Sequence, residues 1–339
     1  MPISFIPAHD ATPQYAVFGK VSRQADFIRI NAAHPAVEDF DGLIAKSLLL
    51  ARRQPGWQEE TCLKTGVSDF LFTSDDGRWC FFGALQPSRD EAGRLYPLVA
   101  GIILPARTVQ PCLAELAIAN ELFFSGLREQ IASAVDHAVE MLACRQFLDS
   151  WIAPNPNAKD DIELAAQLLE RHLTRTPASS LQCALAEAGY PALEDILLAF
   201  ILHAARIRRY GASLSRQTIP LPLSGAEGEG TLDQAVWLAL YRAATEKQSV
   251  RAPDFIVCAG RRVLLVAPDR LGERDLAALW GAPSSLVPAP EADAPQTLQE
   301  RLPACAETAW ALGRQLQDPG DSLASLFSTV KRVSVNANK

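Results

Sequence analysis

Gly83-Ala84-Leu85-Gln86-Pro87-Ser88-Arg89-Asp90-Glu91-Ala92-Gly93-Arg94-Leu95-Tyr96-Pro97-Leu98 decides how this chain is read. An aromatic run, Trp79-Cys80-Phe81-Phe82, leads in, and an apolar run, Leu98 to Leu104, leads out. Both have the residue types of strands. A plain hairpin needs only a two-residue turn between two such runs. The connection here holds Pro87, Ser88, Arg89, Asp90, Glu91, Gly93 and Arg94, more chemistry than a reversal requires. One reading makes it a rigid connector. Ser88 and Glu91 have capping-box spacing, which predicts one short helical turn. Pro87 fixes its entry and Gly93 ends it in the left-handed conformation. Asp90 and Arg94, four apart, pair across that turn. The other reading makes it a recognition surface, with Arg89, Asp90 and Arg94 facing a partner.

A second block lies near the start, Phe18-Gly19-Lys20-Val21-Ser22-Arg23-Gln24-Ala25-Asp26-Phe27. The 83–98 stretch, read as Gly-x-Leu-x-Pro-Ser-x-Asp-x-x-Gly-Arg-x-Tyr-Pro-Leu, resembles the signature of the TagF/ImpM family, accessory proteins of bacterial type VI secretion. The first block is similar to that family's Phe-Gly-Lys-Leu-Pro-x-Arg-Gly-Asp-Phe. Phe18, Gly19, Lys20, Asp26 and Phe27 match. Val21, Ser22, Gln24 and Ala25 stand where Leu, Pro, Arg and Gly are usual, and Arg23 carries a guanidinium one position early. The resemblance covers the first third of the chain. It implies a longin-like or profilin-like N-terminal module, an antiparallel sheet flanked by helices. It further implies a noncatalytic cytoplasmic regulator that restrains secretion after translation by binding a forkhead-associated scaffold protein. No catalytic residue, cofactor or metal is expected. The expected partner-binding residues are Lys20, Arg23, Asp26, Ser88, Arg89, Asp90, Arg94 and Tyr96, with Tyr96 as an aromatic anchor.

The bulk properties agree with a soluble globular chain. Its 339 residues suggest two domains. A net charge of −7 disfavours nonspecific binding to nucleic acid or an anionic membrane surface. The opening Met1-Pro2-Ile3-Ser4-Phe5 lacks the pattern of a signal peptide. The most apolar helical stretch, Leu193 to Ile207, contains Glu194, Asp195, His203 and Arg206, so it reads as buried rather than membrane-spanning. The seven cysteines are odd in number and show no CxxC spacing, which predicts reduced core thiols. Self-association is compatible with the sequence.

Along the chain, residues 1–153 are expected to form the N-terminal α/β domain. Residues 158–333 are expected to form a helix-rich α/β domain, and residues 334–339 a flexible tail. The linker is Pro154-Asn155-Pro156-Asn157. The patterns predict a strand at Tyr15 to Phe18, a helix from Pro35 to Arg53, a helical turn at Glu59 to Leu63, and a hairpin turning at Asp76-Gly77. Pro111 to Trp151 reads as helical throughout. In the second half, helices are expected at Asp160–Thr174, Leu193–Tyr210, Leu232–Glu246 capped by Thr231, Glu273–Leu279, and one long final helix from Leu298. A strand at Thr218–Leu223 and a hairpin of Phe255–Cys258 with Val263–Val266 complete the set. Asp69-Phe70-Leu71-Phe72 echoes Asp254-Phe255-Ile256-Val257, consistent either with two related units or with shared turn chemistry.

Enzyme signatures fail. Gly19-Lys20 lacks the upstream glycine and the following Ser or Thr of a P-loop. Glu227 and Glu229 would repel phosphate from the glycines at 225, 228 and 230. No HExxH, zinc-type cysteine pattern or GxSxG elbow is present. His137 and Glu140 read as a surface pair, Arg206, Arg208 and Arg209 as a solvated helix end, and Trp237 with Tyr241 as core packing. The competing reading is a ligand sensor or enzyme that uses a cleft between the two domains.

Overall fold

The computed structural model describes residues 14–22, 24–137, 141–152, 159–181, 193–211, 218–223, 229–245, 252–258, 262–281, 306–318 and 320–336. In chain order they form β1 (Gln14–Gly19), β2 (Ile28–Ile30), α1 (Pro35–Arg52), α2 (Glu59–Leu63), β3 (Ser68–Thr73), β4 (Trp79–Gln86), β5 (Leu98–Pro105) and α3 (Ala106–Val109). Next come α4 (Leu113–Ala119), α5 (Glu121–Asp136), α6 (Met141–Ile152), α7 (Lys159–Arg175) and α8 (Leu193–Tyr210). The chain continues with β6 (Ile219–Pro222), α9 (Glu229–Thr245), β7 (Asp254–Cys258), β8 (Val263–Ala267), α10 (Glu273–Leu279), α11 (Ala306–Gln317) and α12 (Leu323–Asn336).

All eight strands join one open sheet in the order β2-β1-β5-β4-β3-β7-β8-β6, and every neighbouring pair is antiparallel. The sheet is covered on both faces, so its central strands read as unbroken apolar runs rather than alternating ones. Phe70, Phe72 and Phe81 point to the face packed by α1 and α10. Leu71, Phe82 and Phe255 point to the face packed by the larger helical layer. On the first face Phe40 of α1 stacks on Phe70 at 4.4 Å between ring centroids and reaches Phe72 at 5.0 Å. On the second, Phe82 meets Phe124 of α5 edge-on at 4.4 Å. Gly83 and Gly101 sit opposite each other at the centre of the β4–β5 ladder. A Cβ on Gly83 would lie 2.1 Å from the Ala100 carbonyl oxygen, so the two backbones approach as only glycine permits.

The sheet is continuous between the first and second halves because β3 pairs with β7, from Ser68 opposite Cys258 to Leu71 opposite Phe255. The buried Asp254 fixes the seam. Its carboxylate accepts the Thr73 amide at 2.8 Å and the Leu271 amide at 3.1 Å. Around it, Trp57 Nε1 donates to the Trp280 carbonyl at 2.7 Å, and Trp280 Nε1 donates to Ser47 Oγ at 2.7 Å. On the opposite face Arg128 bridges Asp69 of β3 (2.5 Å) and Glu121 of α5 (3.1 Å), and Thr231 of α9 donates to Glu121 at 2.7 Å. Burial pushes the Asp69 carboxyl up to about 7, against the pull of the Arg128 guanidinium. The expected linker at 154–157 lies outside the described residues.

Several expectations need correction. The stretch from Pro111 to Trp151 is helical as its pattern predicts, and among the described residues it divides into α4, α5 and α6. At Asn120 the backbone N–H and the side-chain amide both donate to the Leu116 carbonyl, closing α4 before α5 starts at Glu121. Thr231 does not cap α9, which begins two residues earlier; its hydroxyl is taken by Glu121. The final helical region is two helices rather than one from Leu298, and residues 282–305 lie outside the described residues. Asp318 Oδ1 accepts the Gly320 amide between them. The last helix runs to Asn336, into the segment expected as a tail. The echo between β3 and β7 is shared strand and turn chemistry. Its equivalent residues Phe70 and Phe255 point to opposite faces. Of the seven cysteines, the five at described positions are reduced thiols.

Asp254→Ala should lower stability by about 2–6 kcal/mol, since two buried amides each lose a partner at about 1–3 kcal/mol. Asp254→Asn, which keeps one oxygen acceptor, should fall between wild type and Ala. Urea denaturation checks both; an Ala variant as stable as wild type would remove Asp254 from the seam.

Candidate functional site

The 83–98 stretch is the tip of one long hairpin. Gln86 pairs with Leu98, and the same register continues through Arg89 opposite Leu95. The Tyr96 amide donates to the Ser88 carbonyl at 2.9 Å, and the Asp90 amide donates to the Arg94 carbonyl at 3.2 Å. Pro87 and Pro97 fall opposite each other in that register and supply no N–H, which interrupts the regular ladder there. The reversal itself is Glu91-Ala92-Gly93, a three-residue loop with Gly93 at φ 77°. The helical turn expected from the Ser88–Glu91 spacing does not form: the backbone bonds across the hairpin, and Ser88 Oγ is buried with no partner among the described residues.

Asp90 closes the tip. Its Oδ1 accepts the Arg94 amide at 2.8 Å, and its Oδ2 accepts Arg94 Nε at 2.7 Å and Lys20 Nζ at 2.9 Å. The Asp90 side chain is 0% exposed, Lys20 13% and Arg94 64%. Burial alone would raise the Asp90 carboxyl. The hydrogen bonds from Lys20 and Arg94 outweigh burial and bring it down to about 2.

The tip binds the segment after β1. Gly19, at φ 126°, lies against the hairpin so closely that a Cβ would sit 2.0 Å from the Pro97 carbonyl oxygen. Arg94 Nη2 donates to the Ala25 carbonyl at 3.1 Å, and the Glu91 amide donates to Gln24 at 3.3 Å. Phe27 meets Tyr96 edge-on at 5.1 Å. The Tyr96 hydroxyl donates to the Asp41 carboxylate and carbonyl of α1, and burial with that carboxylate raises its pKa. Ser22 anchors the far side of the segment, donating to the Val135 carbonyl at 2.5 Å. The two sequence blocks are therefore the two sides of one contact.

Residues 16–151 match the TagF N-terminal domain, described as type VI secretion system-associated. Over these residues the chain carries a TagF N-terminal domain. No curated protein matches the chain. Among solved structures, the crystal structure of PA0076 from Pseudomonas aeruginosa PAO1 aligns with 40% of this chain at 20% identity and a TM-score of 0.31. The aligned part spans 62% of that protein, less than two thirds of its length.

Within the TagF domain, Lys20, Asp90 and Arg94 come together, with Tyr96 and Ser88 on the same hairpin. Asp90 and Ser88 face inward and are out of a partner's reach. Asp26, Arg89 and Arg94 face outward; Arg89 lies 3.6 Å from Glu60 of α2. Arg23 lies outside the described residues, as does Glu140 of the expected His137 pair and the side chains of Arg206, Arg208 and Arg209. Sequence reading missed Asp41, a polar residue on an amphipathic helix with nothing in its spacing to mark it. Among the described residues no group of three or more His, Cys, Asp or Glu is placed to hold a metal ion, and no helix is long and apolar enough to cross a membrane.

The Asp90 pKa sets a pH window. Its folded value lies below the ordinary carboxyl range, so its stabilisation is present above about pH 4 and is lost as pH falls through about 2. Melting temperature measured across that range should fall more steeply for wild type than for Asp90→Asn. Parallel curves would show that Asp90 does not control the tip.

Proposed function

We propose that this chain is a noncatalytic cytoplasmic accessory protein that restrains type VI secretion by binding a forkhead-associated scaffold protein. The match of residues 16–151 to the TagF N-terminal domain supports the secretion-associated role. The observation that carries the reading is the division of labour at the hairpin tip. Asp90, Tyr96 and Lys20 hold two chain segments in one arrangement, and Asp26, Arg89 and Arg94 stand outward on it. A fixed backbone that displays arginines beside a partly buried aromatic presents side chains to a partner at low entropic cost. Arg23, beside these residues in sequence, belongs to the proposed contact set.

The roles separate by mutation. Arg89→Ala should leave the melting temperature unchanged and weaken capture of a purified forkhead-associated scaffold protein about tenfold, the upper range for a rim charge. Asp90→Ala should lower both melting temperature and capture, because it releases Lys20 and Arg94 together. Binding by calorimetry, read beside thermal melts, checks the pair. Undiminished capture by Arg89→Ala and by a folded Arg94→Ala variant would leave the tip a purely structural clamp.

A further inference from the structure

Helix α7 carries two apolar seams, and only one is buried against other described residues. Ile162, Ala165, Leu169 and Leu173 pack against the helical layer. One position earlier runs a second series: Asp161, Leu164, Leu168, Arg171 and Arg175, spaced three, four, three, four. That spacing places all five on one helix face, the seam of a two-helix coiled coil. All five are exposed, Leu164 and Leu168 at 55% and 44%. Lys159 pairs with Glu163 along the helix, whereas Asp161, Arg171 and Arg175 form no ion pair among the described residues.

The order of charge along this seam names its occupant. An acid lies at the N-terminal end, two leucines in the middle and arginines at the C-terminal end. A helix that complements it must carry the same series in reverse, and α7 of a second copy laid antiparallel does so. We propose that the exposed face of α7 is a two-fold, self-complementary docking surface for a second copy of this chain. With the axis passing beside residue 166, Leu164 of one copy meets Leu168 of the other, and Asp161 meets Arg171. Each pairing occurs twice, as an isologous interface requires. Parallel docking would set Asp161 against Asp161 and Arg171 against Arg171, so like-charge repulsion selects the antiparallel arrangement. The apolar centre is only two leucines long. Stable interfaces bury about 1,200–2,000 Å², so this one forms a dimer in the micromolar-to-millimolar range rather than a permanent one. The inference does not depend on the scaffold-binding reading, since α7 lies outside the TagF domain match.

Sedimentation velocity on the full chain over a concentration series tests it. Wild type should pass from monomer to dimer with rising concentration. Asp161→Arg alone and Arg171→Asp alone should each weaken association about tenfold or more, because symmetry places each like-charge contact twice. The double variant should recover it. Leu168→Glu should abolish it. All three positions are exposed, so thermal melts should match wild type. A wild type that stays monomeric throughout overturns the proposal. So does a dimer indifferent to Leu168→Glu, or a double variant no better than the singles.

Discussion

The pairing of β3 with β7 is the contact on which the rest of the structure depends. Strands β1 to β5 alone would leave Phe70 and Leu71 on an open, apolar edge, the kind of edge that invites uncontrolled strand addition. The second half of the chain covers that edge with its own hairpin and moves the sheet's ends to β2 and β6. Both ends are poor templates. Strand β2 is three residues long with a charged Arg29 at its centre, and β6 carries Pro220 and Pro222. The buried Asp254 carboxylate makes the junction specific, since only one register brings it to the Thr73 and Leu271 amides together.

The hairpin tip follows from this frame. Strands β4 and β5 are central and buried on both faces, so their hairpin leaves the sheet along a fixed line. Opposed prolines then deny it ladder hydrogen bonds, and the Asp90 carboxylate supplies the missing contacts. A carboxylate at this position accepts from a backbone amide, a guanidinium and an ammonium at once. Asparagine would keep part of the geometry but lose the charge that two cations face. Two cations on one buried anion leave Arg94 with capacity to spare, and it holds the Ala25 carbonyl of the neighbouring segment. The tip is divided by depth: inward groups set its shape, and Asp26, Arg89 and Arg94 face outward.

Much of this was legible in the sequence because the decisive signals are local. The helical turn of α2 follows the break at Pro55-Gly56, α10 stops before Gly281, and the Asp90–Arg94 pair could be read from its spacing. The misreadings share a cause. The Ser88–Glu91 spacing fits a helical cap, but the chain on either side was already committed to antiparallel strands, and ladder hydrogen bonds won. Asn120 broke a helical pattern whose apolar periodicity ran on unperturbed, because the break depends on one side-chain amide finding the Leu116 carbonyl. Thr231 looked like a cap, but its hydroxyl was claimed by Glu121, 110 residues away.

The sequence by itself determined every strand but the short β2, most helices, the absence of recognisable catalytic motifs and the two blocks that mark the TagF domain. Each of those rests on residue type and short-range spacing, which the chain carries whatever its tertiary fold. Tertiary structure alone decided that the two blocks touch, that the halves share one sheet, and that Asp41, Asp254 and Arg128 hold it together. Those facts depend on pairings between residues tens to hundreds of positions apart. Their energy comes from burial and from satisfying buried polar groups, and neither leaves a periodic trace in the sequence.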